Sequence, residues 1–278
     1  MATRKTIRRN YGSFAELLDA SRKHRDAYTS AHPETTPEEE PHPWTGANTW
    51  EQVDRWAAEG WEDGVKEATE ISEEALRFID AETPVETFKA DWDVTGCEVD
   101  VGTYLQGIPE CMIEYEPVRV SRAGKVVTIC VSASFSASMS VETLIRRAVC
   151  ITGLVKALEE RQHSTEIWLD NTVTTSNGYM RVMRCLVKSA ADSVPVAELA
   201  FQLGHPAVLR RVIFAERHMD ARLSPEFDAS KLHGAMPHDP LKDLPEGTIY
   251  FSAVSGSHDL RDPEGFIRRQ LKELGLVE

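Results

Sequence analysis

The stretch "VVTICVSASFSASMSVETLIRRAVCITGLVKALEE", residues 126 to 160, decides how the rest of the chain is read. It opens with a continuously apolar run, "VVTICV", as expected of a central strand covered on both faces. It closes with Leu144, Ala148, Ile151, Val155 and Leu158 repeating at intervals of three and four. That spacing predicts a helix over about 141–160 with one stripe against a sheet. Arg146, Arg147, Lys156 and Glu160 are expected largely on the opposite face. Between strand and helix lies a turn of small residues carrying Ser132, Ser134, Ser136, Ser138 and Ser140. Such a turn is where α/β proteins place ligands, because strand ends and helix N-termini offer unsatisfied polar groups.

Downstream, "TEIWLDNT" and "GYMRVMRCLVKSA" read as two strands separated by a short polar connection with Asn177-Gly178, and an antiparallel pairing is expected. Ser193 and Pro195 open a helix through "VAELAFQLG", and "AVLRRVIFAERH" continues as another. "GTIYFSAV" is a last strand. "DPEGFIRRQLKELG" is a last helix, with Asp262 as cap and Gly275 at its end. Residues 220 to 246 hold four prolines and little periodicity, and are expected to be a long surface loop.

Upstream, Ser13 caps a short helix candidate over 14–25, and "SAHPETTPEEEPHPW" reads as an exposed connector. Thr49 with Gln52 fits a capping box opening a second helical stretch, with Gly60 marking a bend. Trp50, Trp56 and Trp61 are expected to pack rather than form a ligand cage. "CMIEYEPVRV" and "KVVTICVSA" flank "SRAGK", which suits a hairpin, with Pro117 suggesting an edge position or a bulge. Three regions are expected: 1–43, an N-terminal helix and connector; 44–90, helical; and 91–278, an α/β domain. The fold class is α/β, a three-layer mixed sheet with flanking helices.

Bulk properties narrow the function classes. The 278 residues are 41% hydrophobic and 27% charged, ordinary for a globular chain, with a formal net charge of −14. That charge disfavours a nucleic-acid surface, which needs a local excess of Lys and Arg. The basic "TRKTIRR" is expected to be an unstructured solubilising tail. No apolar run is long enough to span a bilayer, and no signal-peptide core is present, so a cytoplasmic protein is expected. Five scattered cysteines without a CxxC pair read as reduced thiols. There is no Gly-x-Ser-x-Gly elbow and no Walker or Rossmann glycine signature.

The serine turn carries a resemblance. Ser134-Phe135-Ser136-Ala137-Ser138-Met139 resembles the Asp-x-Ser-x-Ser-Met turn of von Willebrand factor A (vWA) domains. In that family the turn gives an aspartate and two hydroxyls to a divalent cation. The order of elements over about 110–278 also fits. Ser134 stands where the family has its aspartate, which implies a degenerate site, since dehydrating Mg²⁺ without a carboxylate is expensive. No cofactor is expected. If a weak Mg²⁺ site were retained, Ser134, Ser136, Ser138 and Asp170 would hold it.

A second resemblance rests on "WTGANTWEQVDRWAAEGWEDG" together with "DWDVTGCEVDVGTYLQGIPECMIEYE". It is similar to an uncharacterised protein family encoded largely by bacteriophages, and implies a phage or prophage setting. The expected function is a non-enzymatic interaction protein, binding a host or phage protein through the strand-end edge or its acidic surface. Candidate contact residues are Thr172, Thr174, His205, Arg210, Arg211 and His258. Two alternatives stay open: a cation-dependent vWA-like adhesion or assembly factor, and an accessory protein touching phage nucleic acid or a replication or transcription factor. Association with the virion, the partner's identity and the oligomeric state are left open.

Overall fold

The apolar run at 126–132 is a buried strand inside a mixed sheet. This computed structural model describes residues 5–31, 44–76, 85–120, 126–136, 139–174, 179–193, 195–218, 236–237, 244–253 and 272. They divide into two compact units, one from Met1–Ile79 with Lys125–Glu278, the other Asp80–Gly124. This grouping differs from the three regions expected, because residues 44–76 share the core of the larger unit.

In the larger unit, the chain begins with β1 (Lys5–Tyr11), α1 (Phe14–Arg22), α2 (Arg25–Ala31), α3 (Trp50–Glu59) and α4 (Glu62–Leu76). After the smaller unit come β5 (Val126–Ser132), α6 (Val141–Glu160), β6 (Ser164–Thr174), β7 (Tyr179–Lys188) and α7 (Val196–Gln202). A π-helical segment, Val208–Ile213, runs into α8 (Phe214–Arg217), and then β8 (Met236–Pro237) and β9 (Ile249–Phe251) follow. The sheet order is β1-β7-β6-β5-β9, with β8 paired to the end of β6. β5 lies parallel to β6 and β9, while β6 and β7 are antiparallel, as expected of the pair on either side of Asn177-Gly178.

Ile129 through Ser132 are all buried, so β5 is covered on both faces. The face bearing Ile129, Val131, Ile167, Leu169, Met183 and Cys185 joins one core with the helices. α6 touches β6, α4 and α7, which explains why it is buried on more than one stripe.

Three expectations need correction. The basic N-terminus is no tail from Lys5 onward: β1 pairs in parallel register with β7, Ile7 opposite Arg181 and Tyr11 opposite Cys185. Its single buried apolar residue over much of its length, Ile7, gives the alternation of an edge strand, which the flanking arginines disguise as a solubilising run. Secondly, "CMIEYEPVRV" and "KVVTICVSA" form no hairpin, because they belong to different sheets. Thirdly, Arg147 is not on the polar face of α6; only 4% of it is exposed.

Several local devices hold as expected. Ser13 accepts from the Glu16 N–H at 3.3 Å, Thr49 from Gln52 N–H at 3.1 Å, and Ser140 from Thr143 N–H at 3.2 Å. The Gln52 side chain reaches back to the Asn48 N–H at 2.8 Å, closing a variant of the capping box. Gly60 has φ +88° and ends α3 where a Cβ would lie 2.3 Å from that of Ala197. The tryptophans pack: Trp56 and Trp61 lie against His205 and Trp50 against Tyr28. All five cysteines are thiols, with Cys130, Cys150 and Cys185 buried and Cys97 exposed.

The smaller unit contains β2 (Val85–Asp93), β3 (Glu98–Val99), α5 (Val101–Leu105) and β4 (Met112–Val120). Its antiparallel sheet has the order β2-β4-β3. β3 pairs only with Ile113 and Met112, so Pro117 lies beyond its reach and faces Phe88 alone, at a local edge. The final helix expected near 262–275 lies outside the described residues, apart from Lys272.

Candidate functional site

The root of the serine turn is fixed by an arginine from the helix that follows it. Arg147 on α6 donates from Nη1 to the Ser132 carbonyl at 2.9 Å and from Nη2 to the carbonyls of Ser252 at 2.9 Å and Phe251 at 3.3 Å. These carbonyls lie at the ends of β5 and β9, two neighbouring parallel strands, which the guanidinium joins. Burial lowers the guanidinium pKa to about 10, so it stays charged near neutrality. A fixed protein cation therefore lies at the strand ends where the vWA resemblance would put a metal ion. The sequence carried a signal for it. Arg147 is three residues from Leu144 and four from Ile151, which places it on the apolar stripe rather than opposite.

Two of the candidate metal ligands, Ser134 and Asp170, are held apart. Ser134 is buried, and its Oγ accepts from Asn171 Nδ2 at 2.8 Å, while its N–H donates to Ser132 Oγ at 3.2 Å. Asp170 is next to Asn171 on β6 and therefore points to the opposite face of the sheet. Its carboxylate accepts from Thr172 Oγ1 at 2.9 Å and Thr172 N at 3.2 Å, with Arg184 Nε 3.7 Å away. Burial pushes the Asp170 pKa up to about 6 despite these donors. Ser136 is half-buried and its carbonyl accepts from the Met139 N–H at 3.1 Å. Ser138 lies outside the described residues.

On the face of Ser134, polar contacts continue inward. Asn171 Oδ1 accepts from Arg181 Nη1 at 3.3 Å and from Arg217 Nη2; Arg181 pairs with Glu216 through Nη2. Tyr11, from β1, donates to the other Glu216 oxygen at 2.8 Å. Burial, joined by the nearby Glu216 charge, pushes the Tyr11 phenol above its ordinary range. Burial and the neighbouring Arg181 charge lower the Arg217 pKa to about 9. A network of two guanidiniums and one carboxylate thus ties the turn to β1, β6, β7 and α8. Sequence reasoning missed Tyr11, Asn171, Arg181, Glu216 and Arg217. Strand alternation in "YMRVMRC" is too broken to show which arginine faces inward.

Of the candidate contact residues, Thr172, His205, Arg210 and Arg211 are interior. His205 is 2% exposed, its Nδ1 accepts from the Ala207 N–H at 3.2 Å, and the rings of Trp56, Trp61 and Phe201 surround it. Burial drops its pKa to about 3, so the imidazole is neutral. Arg210 donates to the Trp44 and Met139 carbonyls, the latter at 3.2 Å, and lies over the Phe135 ring. Arg211 donates to the carbonyls of Ala47 at 3.0 Å and Asn48 at 3.1 Å. Both arginines sit in the π-helical segment, and both hold "WTGAN" rather than face solvent. Thr172 is buried; Thr174, at the end of β6, pairs with Met236. His258 lies outside the described residues.

A cavity of about 10 Å³ opens beneath the turn, bounded by Phe135, Arg147, Gln202, Gly204 and His205 among others. It is large enough for one water molecule. Gln202 Oε1, buried there, has no hydrogen-bond partner among the described residues, and a water would supply one. Among the described residues, no group of three or more His, Cys, Asp or Glu side chains is arranged to hold a metal. None of the described helices is long and apolar enough to cross a membrane.

Residues 2–278 match a family described as a domain of unknown function (DUF7192). The chain belongs to this family. No curated protein and no solved structure matches the DUF7192 chain. The family, like the uncharacterised one the sequence resembles, carries no assigned activity.

Proposed function

We propose that the DUF7192 chain is a non-enzymatic protein-interaction protein of a phage or related mobile element, acting in the host cytoplasm. It would be built on a vWA-like sheet whose metal turn has become a scaffold. The order β5, α6, antiparallel β6 and β7, helices, β9 supports the vWA-like reading. The observation that carries the loss of metal function is Arg147 on the strand-end carbonyls. A dication there would be opposed by a guanidinium instead of drawn by a carboxylate. Ser134 and Asp170, occupied on opposite faces of the sheet, add to it.

Enzymatic chemistry needs groups that can change state within reach of a substrate. Here the titratable groups near the turn are buried and engaged with backbone or with each other, which favours rigidity. The acidic chain then acts by presenting surface to a partner. Affinity purification of the tagged chain from host cells carrying the element tests this. A partner recovered in stoichiometric amount is expected. Recovery of the chain alone, whether or not the host is induced, contradicts the reading.

A further inference from the structure

The smaller unit presents apolar side chains to solvent in a concentration found nowhere else among the described residues. Trp92, Val94, Val99, Val101, Tyr104, Leu105, Ile108 and Tyr115 are exposed, from 42% for Ile108 and Tyr115 to 78% for Leu105. Among the described residues, the one other large apolar side chain so exposed is Val126, in the larger unit. No described apolar side chain of the smaller unit is buried. A three-stranded sheet of this size needs a covered hydrophobic face to be stable. Patches of this kind mark interaction sites.

The β2–β4 pair also sorts part of its residues by face. In the register of β2 with β4, Trp92 faces Ile113 and Ala90 faces Tyr115, so these four residues share one face. Asp91 and Glu114 are partners on the other. Carboxylates border the apolar side as well. Trp92 Nε1 donates to Asp100 Oδ2 at 3.1 Å, and Tyr115 Oη to Glu98 Oε2 at 3.0 Å. Asp100 also caps α5, accepting from the N–H groups of Gly102 at 3.0 Å and Thr103 at 3.1 Å. The aromatic rings are thereby held in place, with their apolar surfaces outward.

Charge selects the occupant. Between residues 85 and 120 there are eight acidic residues against two basic ones. A second copy of the chain would bring the same excess of negative charge to the contact, which disfavours self-association through this surface. A carbohydrate would stack on Trp92 and the tyrosines but gains little from Val94, Val99, Val101, Leu105 and Ile108. The combination fits a protein segment with an apolar centre and a Lys/Arg rim.

We infer that the sheet of the 80–124 unit, with α5, is a docking surface for a basic, amphipathic protein segment, with Trp92, Tyr104, Leu105 and Tyr115 as apolar anchors and Glu98 and Asp100 in the acidic rim. This rests on the protein-interaction reading and names the surface that would carry it.

The test is fluorescence anisotropy on the full chain with labelled peptides of equal length. One alternates Lys and Leu at helical spacing, a second replaces each Lys by Glu, and a third is oligolysine. The Lys/Leu peptide is expected to bind at least about tenfold tighter than either control, more weakly as salt rises. Tyr104→Ser with Leu105→Ser should weaken it by about tenfold or more, and the separate charge reversal Glu98→Lys should weaken it by about threefold or more. Circular dichroism should show both variants folded, since these side chains are exposed. Undiminished Lys/Leu binding by both variants would place the contact elsewhere, sinking this surface while leaving the interaction reading intact. Equal binding of oligolysine would reduce the site to unspecific charge and overturn the inference. Binding of a maltohexaose probe that is lost in Trp92→Ala would assign the patch to sugars instead. If neither the Lys/Leu peptide nor any purified partner binds, the inference and the reading beneath it both fall.

Discussion

The imidazole of His205 shows what burial does to a single titratable group. It is held neutral among three aromatic rings, with a pKa near 3. A base whose folded pKa is depressed takes up its proton on unfolding. Its contribution is therefore complete above about pH 6.5 and drains away as pH falls toward 3, by about 1.4 kcal/mol per unit. His205→Asn keeps an acceptor for the Ala207 N–H but cannot titrate. Chemical denaturation from pH 7 to 4 should show a shallower loss of stability for the variant, from a lower starting value; parallel curves would contradict the account. Asp170 works in the opposite sense. Its raised pKa, about 6, means the folded state holds the proton more tightly, so its contribution is largest below about pH 4 and is lost as pH rises through 6. Asp170→Asn should gain on the parent chain by about 2 kcal/mol between pH 4 and 7. A difference that is flat with pH would refute that. Sequence patterning exposed Asp170 as a possible oxygen donor but not its direction. A strand residue's face depends on register, and a bulge between Ile167 and Trp168 shifts it.

Elements were legible where local rules suffice. β5, α6, β6, β7 and β9 follow from apolar runs and periodicity, and α1 and α3 from caps at Ser13 and Thr49. β1 was not, because its pattern makes sense only beside β7. Nor was the partner of β4, because pairing between distant segments leaves no trace in either segment alone. The widened turn at Val208–Ile213 also gave no signal; a π-helical stretch is a tertiary accommodation, here carrying Arg210 and Arg211 to "WTGAN". Gly60 is the element-scale residue easiest to test. Its φ is +88° and the space a side chain would need belongs to Ala197. Gly60→Ala should cost about 2 kcal/mol or more, read as a lowered midpoint in urea, with Gly12→Ala near neutral as a control. A cost below about 0.5 kcal/mol for Gly60→Ala would show that the α3–α4 corner is not clamped against α7.

At the scale of the molecule, composition announced an acidic chain with no apolar run long enough to span a bilayer, but not where the charge and the apolar surface concentrate. The larger unit spends its polar residues internally. Arg147, Arg181, Arg210, Arg211 and Arg217 are all at most 4% exposed, and three of them satisfy backbone carbonyls rather than acids. The smaller unit does the reverse, with apolar groups outward. Such a division suits a rigid scaffold that presents a surface, and it leaves the strand-end edge closed by the protein's own cation. Differential scanning calorimetry of the chain in about 10 mM MgCl₂ against EDTA measures that closure directly. A site with a Kd near 0.1 mM would add about 2.7 kcal/mol and raise Tm by several degrees. The account predicts coincident transitions; a rise of that size, abolished in Ser136→Ala, would contradict it.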